Sequence, residues 1–250
     1  MDPAPGLGLG AGARMFSESA RFYDAIYSFK DYAAEAGWLR YLLTEHGHPD
    51  GRLLDVACGT GAHLVHLRDH YQVEGLDIDP GMLEVARAKL PGVAFRQGDM
   101  LDFSLGSRYE IVVSLFSSIG YMRTVERLNR AVANMARHLE PCGLLAIEPW
   151  FSPEQWKPGK VHALLVDEPD LKVARMNLST PPVGNLSVLE FHYLVGDGSG
   201  VRHVTERHEL GLFEDHEYRR AFEQAGLTPQ FDAEGPSGRG LYFGLSGPAL

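Results

Sequence analysis

From residue 52 to residue 147 short apolar runs alternate with amphipathic segments, a rhythm that few folds satisfy. Leu53–Ala57, Val73–Asp77, Val93–Arg96 and Ile111–Leu115 read as strands, and 62–70, 81–90 and 124–139 as helices. The helix at 124–139 is the clearest, because Val125, Leu128, Val132, Met135 and Leu139 fall three and four apart on one face. Glu140-Pro141-Cys142-Gly143 ends it, and Leu144–Ile147 is the next strand. Alternation at this spacing calls for a parallel sheet with helices on both faces and right-handed crossovers. The expected fold class is α/β, with a doubly wound, mostly parallel sheet of seven strands.

The flanking segments differ in character. Residues 1–13 are dominated by Gly, Ala, Pro and Leu without periodicity, so 1–15 is expected to be a disordered leader. From Ser17 to about Glu45 the pattern is helical and rich in aromatics, including Phe22, Tyr23, Tyr27, Tyr32 and Trp38. Such a segment is either a helix packed on the sheet or a lid that excludes water. Residues 161–213 carry β-like runs broken by turn material such as Asp197-Gly198-Ser199-Gly200. We expect 150–213 to be an antiparallel β insertion on the substrate side, with the core formed by 16–149 and 214–247. A helix at 215–225 and strands at Pro229–Asp232 and Leu241–Leu245 return the chain to the sheet.

At 250 residues the chain fits one large domain with an insertion. Acidic residues outnumber Lys and Arg by 33 to 23, leaving a formal charge of −10. A surface built to neutralise a nucleic acid shows the opposite balance, so no nucleic-acid partner is expected. Cys58 and Cys142 are too few for a disulfide framework and lack the histidine clustering of a zinc site. No metal is expected. The absence of a long apolar run or an export signal makes the cytoplasm the expected location, with no membrane partner.

The chemistry concentrates at the strand ends. In the run RLLDVACGTG at 52–61, Gly59 and Gly61 follow the first strand, where a glycine turn lets the backbone approach a ligand. A lone glycine pair is equally consistent with a plain tight turn. Three acidic positions at successive strand ends shift the balance. Asp55 is a buried carboxylate that needs a partner, such as the cationic methionine end of a cofactor or its waters. Asp77 is placed to take both hydroxyls of a ribose, while Asp99 and Met100 offer an acceptor and an apolar wall to an adenine. A dinucleotide fingerprint would need a third glycine where Leu64 stands.

The run Asp55-Val56-Ala57-Cys58-Gly59-Thr60-Gly61, followed by Gly75-Leu76-Asp77 and Gly98-Asp99-Met100, resembles the class I S-adenosylmethionine-dependent methyltransferases, whose fold is Rossmann-like. The segments Lys30–Ala36, Phe116–Tyr121, Glu148-Pro149-Trp150 and Gly235–Leu241 carry a closer likeness. They are similar to bacterial sugar N-methyltransferases that dimethylate the amine of a dTDP-linked amino-deoxyhexose, as in making the dimethylamino sugars of macrolide antibiotics. The likeness runs from about residue 16 to 246. It implies S-adenosylmethionine as cofactor, S-adenosylhomocysteine as product, and a nucleotide-sugar as substrate.

On this resemblance Tyr23 and Tyr32 close over the cofactor, Ala57, Asp77, Ile78, Asp99 and Met100 hold it, and Phe116 lines the pocket near the methyl donor. Trp150, Ser237 and Arg239 are assigned to the nucleotide-sugar, with Arg175 a further candidate. A guanidinium suits a diphosphate because it makes forked hydrogen bonds to oxyanions. Phe16 stands where some relatives have tyrosine, and Tyr121 where some have histidine. Tyr121 is expected either to orient the reacting amine by a hydrogen bond or to serve only as a wall. Trp150 has core packing as its alternative, and His192 and His203 fall on the expected substrate side. Another small-molecule amine or hydroxyl as acceptor, and a non-catalytic binding subunit, are the competing functions. Both monomer and homodimer are compatible with the sequence.

Overall fold

The computed structural model describes residues 19–248, so the leader at 1–15 and Phe16 lie outside the described residues. A 3-10 turn at Ser19–Phe22 leads into α1 (Tyr23–Ile26) and α2 (Tyr32–Glu45). There follow β1 (Arg52–Val56), α3 (Leu64–Leu67), β2 (Gln72–Asp77), α4 (Pro80–Lys89), β3 (Ala94–Gln97) and β4 (Tyr109–Ser114). After a 3-10 turn at Ser118–Met122 come α5 (Val125–Ala136) and β5 (Leu139–Ile147). Strands β6 (Val161–Glu168), β7 (Leu171–Ser179), β8 (Leu186–Asp197) and β9 (Gly200–Gly211) precede α6 (Asp215–Gln224), β10 (Gln230–Asp232) and β11 (Leu241–Leu245).

Seven strands form one sheet in the order β10-β11-β5-β4-β1-β2-β3, parallel apart from β10–β11 and β11–β5. The central strands are mostly apolar because both faces are buried. Leu54, Val112 and Leu145 meet Leu128, Val132 and Met135 of α5 and Phe222 of α6. Leu53, Ile111 and Leu144 turn the other way, onto Leu39 and Leu43 of α2 and Leu64 of α3. The strand order reverses at β1, which pairs with β2 on one side and β4 on the other. Open parallel sheets bind their ligands beyond the carboxyl ends at such a switch point.

Strands β6 to β9 form the expected antiparallel sheet, in sequential order. Its inner face carries Val166, Val173, Tyr193, Val195 and Val204, which pack on Phe22 and Ile26. The N-terminal segment is thereby wedged between this face and the cofactor side of the larger sheet, where Thr60 Oγ1 donates to Asp24 Oδ1 at 2.6 Å. Among the described residues no helix is long and apolar enough to cross a membrane.

Three elements differ from the sequence reading. Within the described part of the aromatic segment, 19–45, the chain is not one helix: it breaks after α1, and Asp31 restarts it as N-cap of α2 by accepting from Ala34 N at 2.9 Å. The helix expected at 62–70 shrinks to the single α-helical turn α3, which no side chain caps at its start. Strand β5 begins at Leu139 rather than Leu144, because α5 ends at Ala136 and Glu140–Gly143 is absorbed as an irregularity in the β4–β5 pairing. There Cys142 takes a φ of 61°.

Gly75 in β2 lies opposite Asp55, and a Cβ on it would stand 2.6 Å from the Phe95 ring and 2.7 Å from Cys58 Sγ. Overpacking of this kind typically costs about 1–3 kcal/mol. Gly75→Ala is therefore expected to lower the urea midpoint by a corresponding amount with an unchanged m-value; a midpoint equal to that of the unsubstituted chain would show that the ring yields freely.

Candidate active site

The chain leaves β1 through backbone conformations that L side chains rarely adopt, with φ of 64° at Ala57, 54° at Gly59 and 74° at Gly61. The two glycines do different work. A Cβ at Gly59 would meet nothing within 4 Å, so the backbone there faces open space. One at Gly61 would stand 3.1 Å from Leu90 Cδ1, which places Gly61 against the helix side. The turn is pinned where Gly59 N donates to Asp77 Oδ2 at 2.8 Å.

Beyond this turn lies an open cleft lined by Tyr23, Tyr32, Asp55, Ala57, Gly59, His63 and Phe116 among others. Asp55 is 2 % exposed and its Oδ1 has no hydrogen-bond partner among the described residues. Burial and the neighbouring Asp77 push its carboxyl well above the usual carboxylate range. An isolated buried carboxylate is costly unless a donor or a cation meets it, so this oxygen is a ready contact for a positively charged ligand group. The Asp77 carboxyl is pushed up to about 6 by burial, against the opposing effect of backbone N–H bonds from Asp79 and Gly59. Each of its oxygens accepts one such bond and retains a lone pair for a further donor.

Ile78 beside it is 50 % exposed. Asp99 is half-buried and accepts from Leu101 N at 3.0 Å through Oδ1. Met100 is buried in the main core with Leu54 and Leu76, so its side chain is not brought to the open cleft. Aromatic rings close the other wall. Tyr27 lies 4.6 Å from Tyr23 and meets Phe116 edge-on at 5.2 Å. Behind Tyr32, Glu35 binds Lys30 Nζ at 2.5 Å and His63 Nε2 at 2.8 Å. Burial opposes ionisation of Glu35, but these bonds hold its carboxyl below the usual range.

A second group of side chains adjoins the first through Phe116. Phe116 and Ser117 have φ of 51° and 60°, left-handed conformations that are strained for residues with a Cβ. They persist because Glu148 Oε2 accepts from Phe116 N at 2.6 Å and Ser117 Oγ donates to Pro149 O at 2.6 Å. Glu148 is fully buried, and its Oε1 accepts from Ser237 Oγ and lies 3.8 Å from Arg239 Nη1. The Arg239 guanidinium stands 5.7, 5.5 and 5.3 Å from the rings of Phe116, Trp150 and Phe151. Trp150 Nε1 donates to Ser187 Oγ at 2.8 Å, which anchors the indole to β8. Arg175 lies 5.5 Å from both the Tyr27 and Phe191 rings.

The structure thus brings Phe116, Trp150, Ser237 and Arg239 together, with Arg175 approaching through Tyr27. Tyr121 sits apart from the cleft lining, with its hydroxyl 2.7 Å from His208 Nδ1. His192 and His203 stack on each other at 5.4 Å on the exposed outer face of the second sheet, so they point away from the site. Strand alternation is the reason: His208 and Glu206 on β9 share the inward parity, and His203 has the opposite one. Glu148 and Tyr27 were missed as individual site residues. Glu148 carries the same signal as Asp55 and Asp77, a carboxylate at the end of a buried strand, whereas Tyr27 had no signal beyond being aromatic.

A profile described as a methyltransferase domain matches residues 53–143. The chain is 44% identical over 232 residues to the dTDP-3-amino-3,4,6-trideoxy-alpha-D-glucopyranose N,N-dimethyltransferase of Streptomyces venezuelae, covering 91% of this chain and 98% of the relative. It is 42% identical over 242 residues to the dTDP-3-amino-3,6-dideoxy-alpha-D-glucopyranose N,N-dimethyltransferase of Streptomyces fradiae, covering 95% and 94%. The solved structure of S-adenosylmethionine-bound CalS10, an amino pentose methyltransferase from Micromonospora echinaspora, superposes with a TM-score of 0.80 at 38% identity, covering 89% of this chain and 95% of that one. With identity at this level along nearly the whole length, and a glycine turn, strand-end carboxylates and aromatic wall in one cleft, the chain belongs to the S-adenosylmethionine-dependent N,N-dimethyltransferases of dTDP-linked amino sugars.

Proposed function

We propose that the chain methylates, twice, the amino group of a dTDP-linked amino-deoxyhexose, using S-adenosylmethionine. The observation that carries the reading is the position of Phe116, which lines the glycine-turn cleft and also stacks under Arg239. A cationic cofactor on one side and an anionic acceptor on the other would meet at that ring.

The residues of the cleft fit the cofactor. The unpartnered Asp55 Oδ1 suits its cationic methionine end, and the Gly59 backbone, which faces open space, admits it closely. Asp77 would accept the ribose hydroxyls, Ile78 would cover the adenine, and Asp99 would accept from the adenine amine. Tyr23 and Tyr32 would close the wall. When bound, S-adenosylmethionine supplies a sulfonium methyl group to a nucleophile in line with the sulfur–carbon bond.

Positioning is the dominant task of the protein. Holding two reactants in a productive geometry is worth roughly 7–11 kcal/mol, more than the factor of about 10² to 10⁴ that one general base contributes. Arg239, fixed by Glu148 and three rings, would hold the diphosphate, with Ser237, Trp150 and Arg175 around the nucleotide-sugar. Nucleotide-linked sugars are intracellular metabolites, so we place the enzyme in the cytoplasm.

Mass-spectrometric assay against a panel of dTDP-amino sugars and of unrelated small amines and alcohols tests the reading. The expected result is two added methyl groups on a dTDP-amino sugar and none on the other acceptors; methylation confined to an unrelated acceptor would overturn it. Because Asp77 must be ionised to accept two hydroxyls, cofactor affinity measured by calorimetry is expected to fall as the pH drops through about 6. Asp77→Asn is expected to bind about 10–100-fold more weakly at neutral pH, with that pH dependence lost. Arg239→Lys loses the fork. It is expected to raise KM for the nucleotide-sugar by about tenfold or more, with cofactor affinity unchanged in the same calorimetric assay.

A further inference from the structure

The glycine turn and the N-terminal segment wall the cofactor cleft from two sides, and one polar cluster ties these walls together. Thr60, between Gly59 and Gly61, is 1 % exposed, and its hydroxyl donates to Asp24 Oδ1 at 2.6 Å. The same hydroxyl accepts from Lys89 Nζ at 3.3 Å, and Lys89 closes the ring by pairing with Asp24 Oδ2 at 2.6 Å. The three side chains come from the turn after β1, from α1 and from the last residue of α4. Methyl transfer as proposed gives none of them a task.

Asp24 directly follows Tyr23, and Tyr23 and Thr60 both line the cleft. The cluster therefore sets the spacing between that wall and the turn. Elsewhere α1 is held by apolar contacts, with Phe22 and Ile26 on the second sheet and Tyr27 edge-on to Phe116. Apolar packing is non-directional, whereas a hydrogen bond specifies distance and angle. Within the cluster the Thr60 hydroxyl is buried, but the Asp24 and Lys89 side chains are 43 % and 26 % exposed. A partly exposed ion pair of this kind is weakened by salt.

Two methylations of one amine consume two cofactor molecules. S-adenosylhomocysteine must leave, and fresh S-adenosylmethionine enter, between them. A ligand lying between the glycine turn and Tyr23 is covered by α1, so exchange requires α1 to draw back from Thr60. Opening of a covering segment often limits turnover.

We propose that Asp24, Thr60 and Lys89 form a latch that holds α1 over the cofactor and governs how fast cofactor and product exchange. Opening breaks the Thr60–Asp24 hydrogen bond and the Lys89–Asp24 ion pair together, because both end on one carboxylate. Thr60 and Lys89 remain with the larger sheet and its helices, while Asp24 moves with Tyr23. The Thr60 bond gives the latch its direction, and the ion pair gives it a strength that depends on ionic strength. Asp24 and Lys89 act through the position of Tyr23 and are positioning residues. The group formed by Arg239, Trp150 and Ser237 lies across Phe116 from the cleft, so exchange past α1 leaves the acceptor side in place.

The latch rests on the cofactor placement proposed above, and the experiment separates the two. Dissociation of S-adenosylhomocysteine is timed by stopped-flow competition at about 0.05 and 0.5 M salt. The chain is compared with Asp24→Asn, Lys89→Met, Asp24→Ala and the exchanged pair Asp24→Lys with Lys89→Asp. Asn keeps an acceptor for Thr60, so Asp24→Asn and Lys89→Met lose the ion pair alone and are expected to speed dissociation about two- to fivefold at low salt. Asp24→Ala loses the hydrogen bond as well and is expected to speed it about tenfold or more. The exchanged pair should return the rate toward that of the unsubstituted chain, and high salt should speed dissociation from the unsubstituted chain but not from the single variants. Equal rates across the set, or an exchanged pair no slower than the single variants, would overturn the latch in favour of a structural strut. Amide exchange across residues 23–27 of the unsubstituted chain, a readout that stands if the variants fail to fold, should quicken as salt is raised; exchange indifferent to salt would also overturn it. A chain that binds no S-adenosylhomocysteine would overturn the cofactor placement itself, and the latch with it.

Discussion

The buried carboxylate of Glu148 is the interaction on which the site depends. It lies just beyond the last residue of β5, where one oxygen holds the Phe116 backbone and the other meets Ser237 and Arg239. Residues 116, 148 and 237 come from three separate stretches of the chain, joined here by a single anion. A fully buried carboxylate is stable only when its lone pairs are satisfied. Losing any one partner would therefore disturb the other two, so the side chains on either side of Phe116 are built as one unit.

Much of this fold was legible in the sequence because its central strands are buried on both faces. Apart from Asp55 and Ser114, Leu53–Val56, Ile111–Ser114 and Leu144–Ile147 had to be apolar, and the helices between them had to show one apolar stripe. Boundaries were less visible where side-chain hydrogen bonding decided them. Asp31 looks like any loop aspartate until it caps α2, and the Glu140–Gly143 turn looks like a helix stop until β5 takes it up.

The site was legible to the extent that one residue type at one kind of position carried the signal. Asp55 and Asp77 stood out as carboxylates at strand ends, and both face the glycine turn. Met100 followed the same positional logic, yet its side chain turned into the core, because adjacency to a strand end does not fix orientation. The pairing of Tyr121 with His208 spans 87 positions and depends on the register of β8 against β9. Single-sequence periodicity shows which residues share a face, but not which face meets another element. That is why His192 and His203 were favoured over His208.

Phe116 and Ser117 adopt a backbone shape normally reserved for glycine. A glycine pair there would be more relaxed and equally able to turn the chain, but it would present no side chain. By keeping a ring and a hydroxyl at this bend, the protein gives the bend contacts of its own: the ring lines the cleft and lies under the Arg239 guanidinium, and the Ser117 hydroxyl accepts from Arg239 Nη1 at 3.4 Å. The glycine turn at 59 leaves open space beside its backbone, whereas the strained turn at 116–117 fills the space beside it with a ring and a hydroxyl.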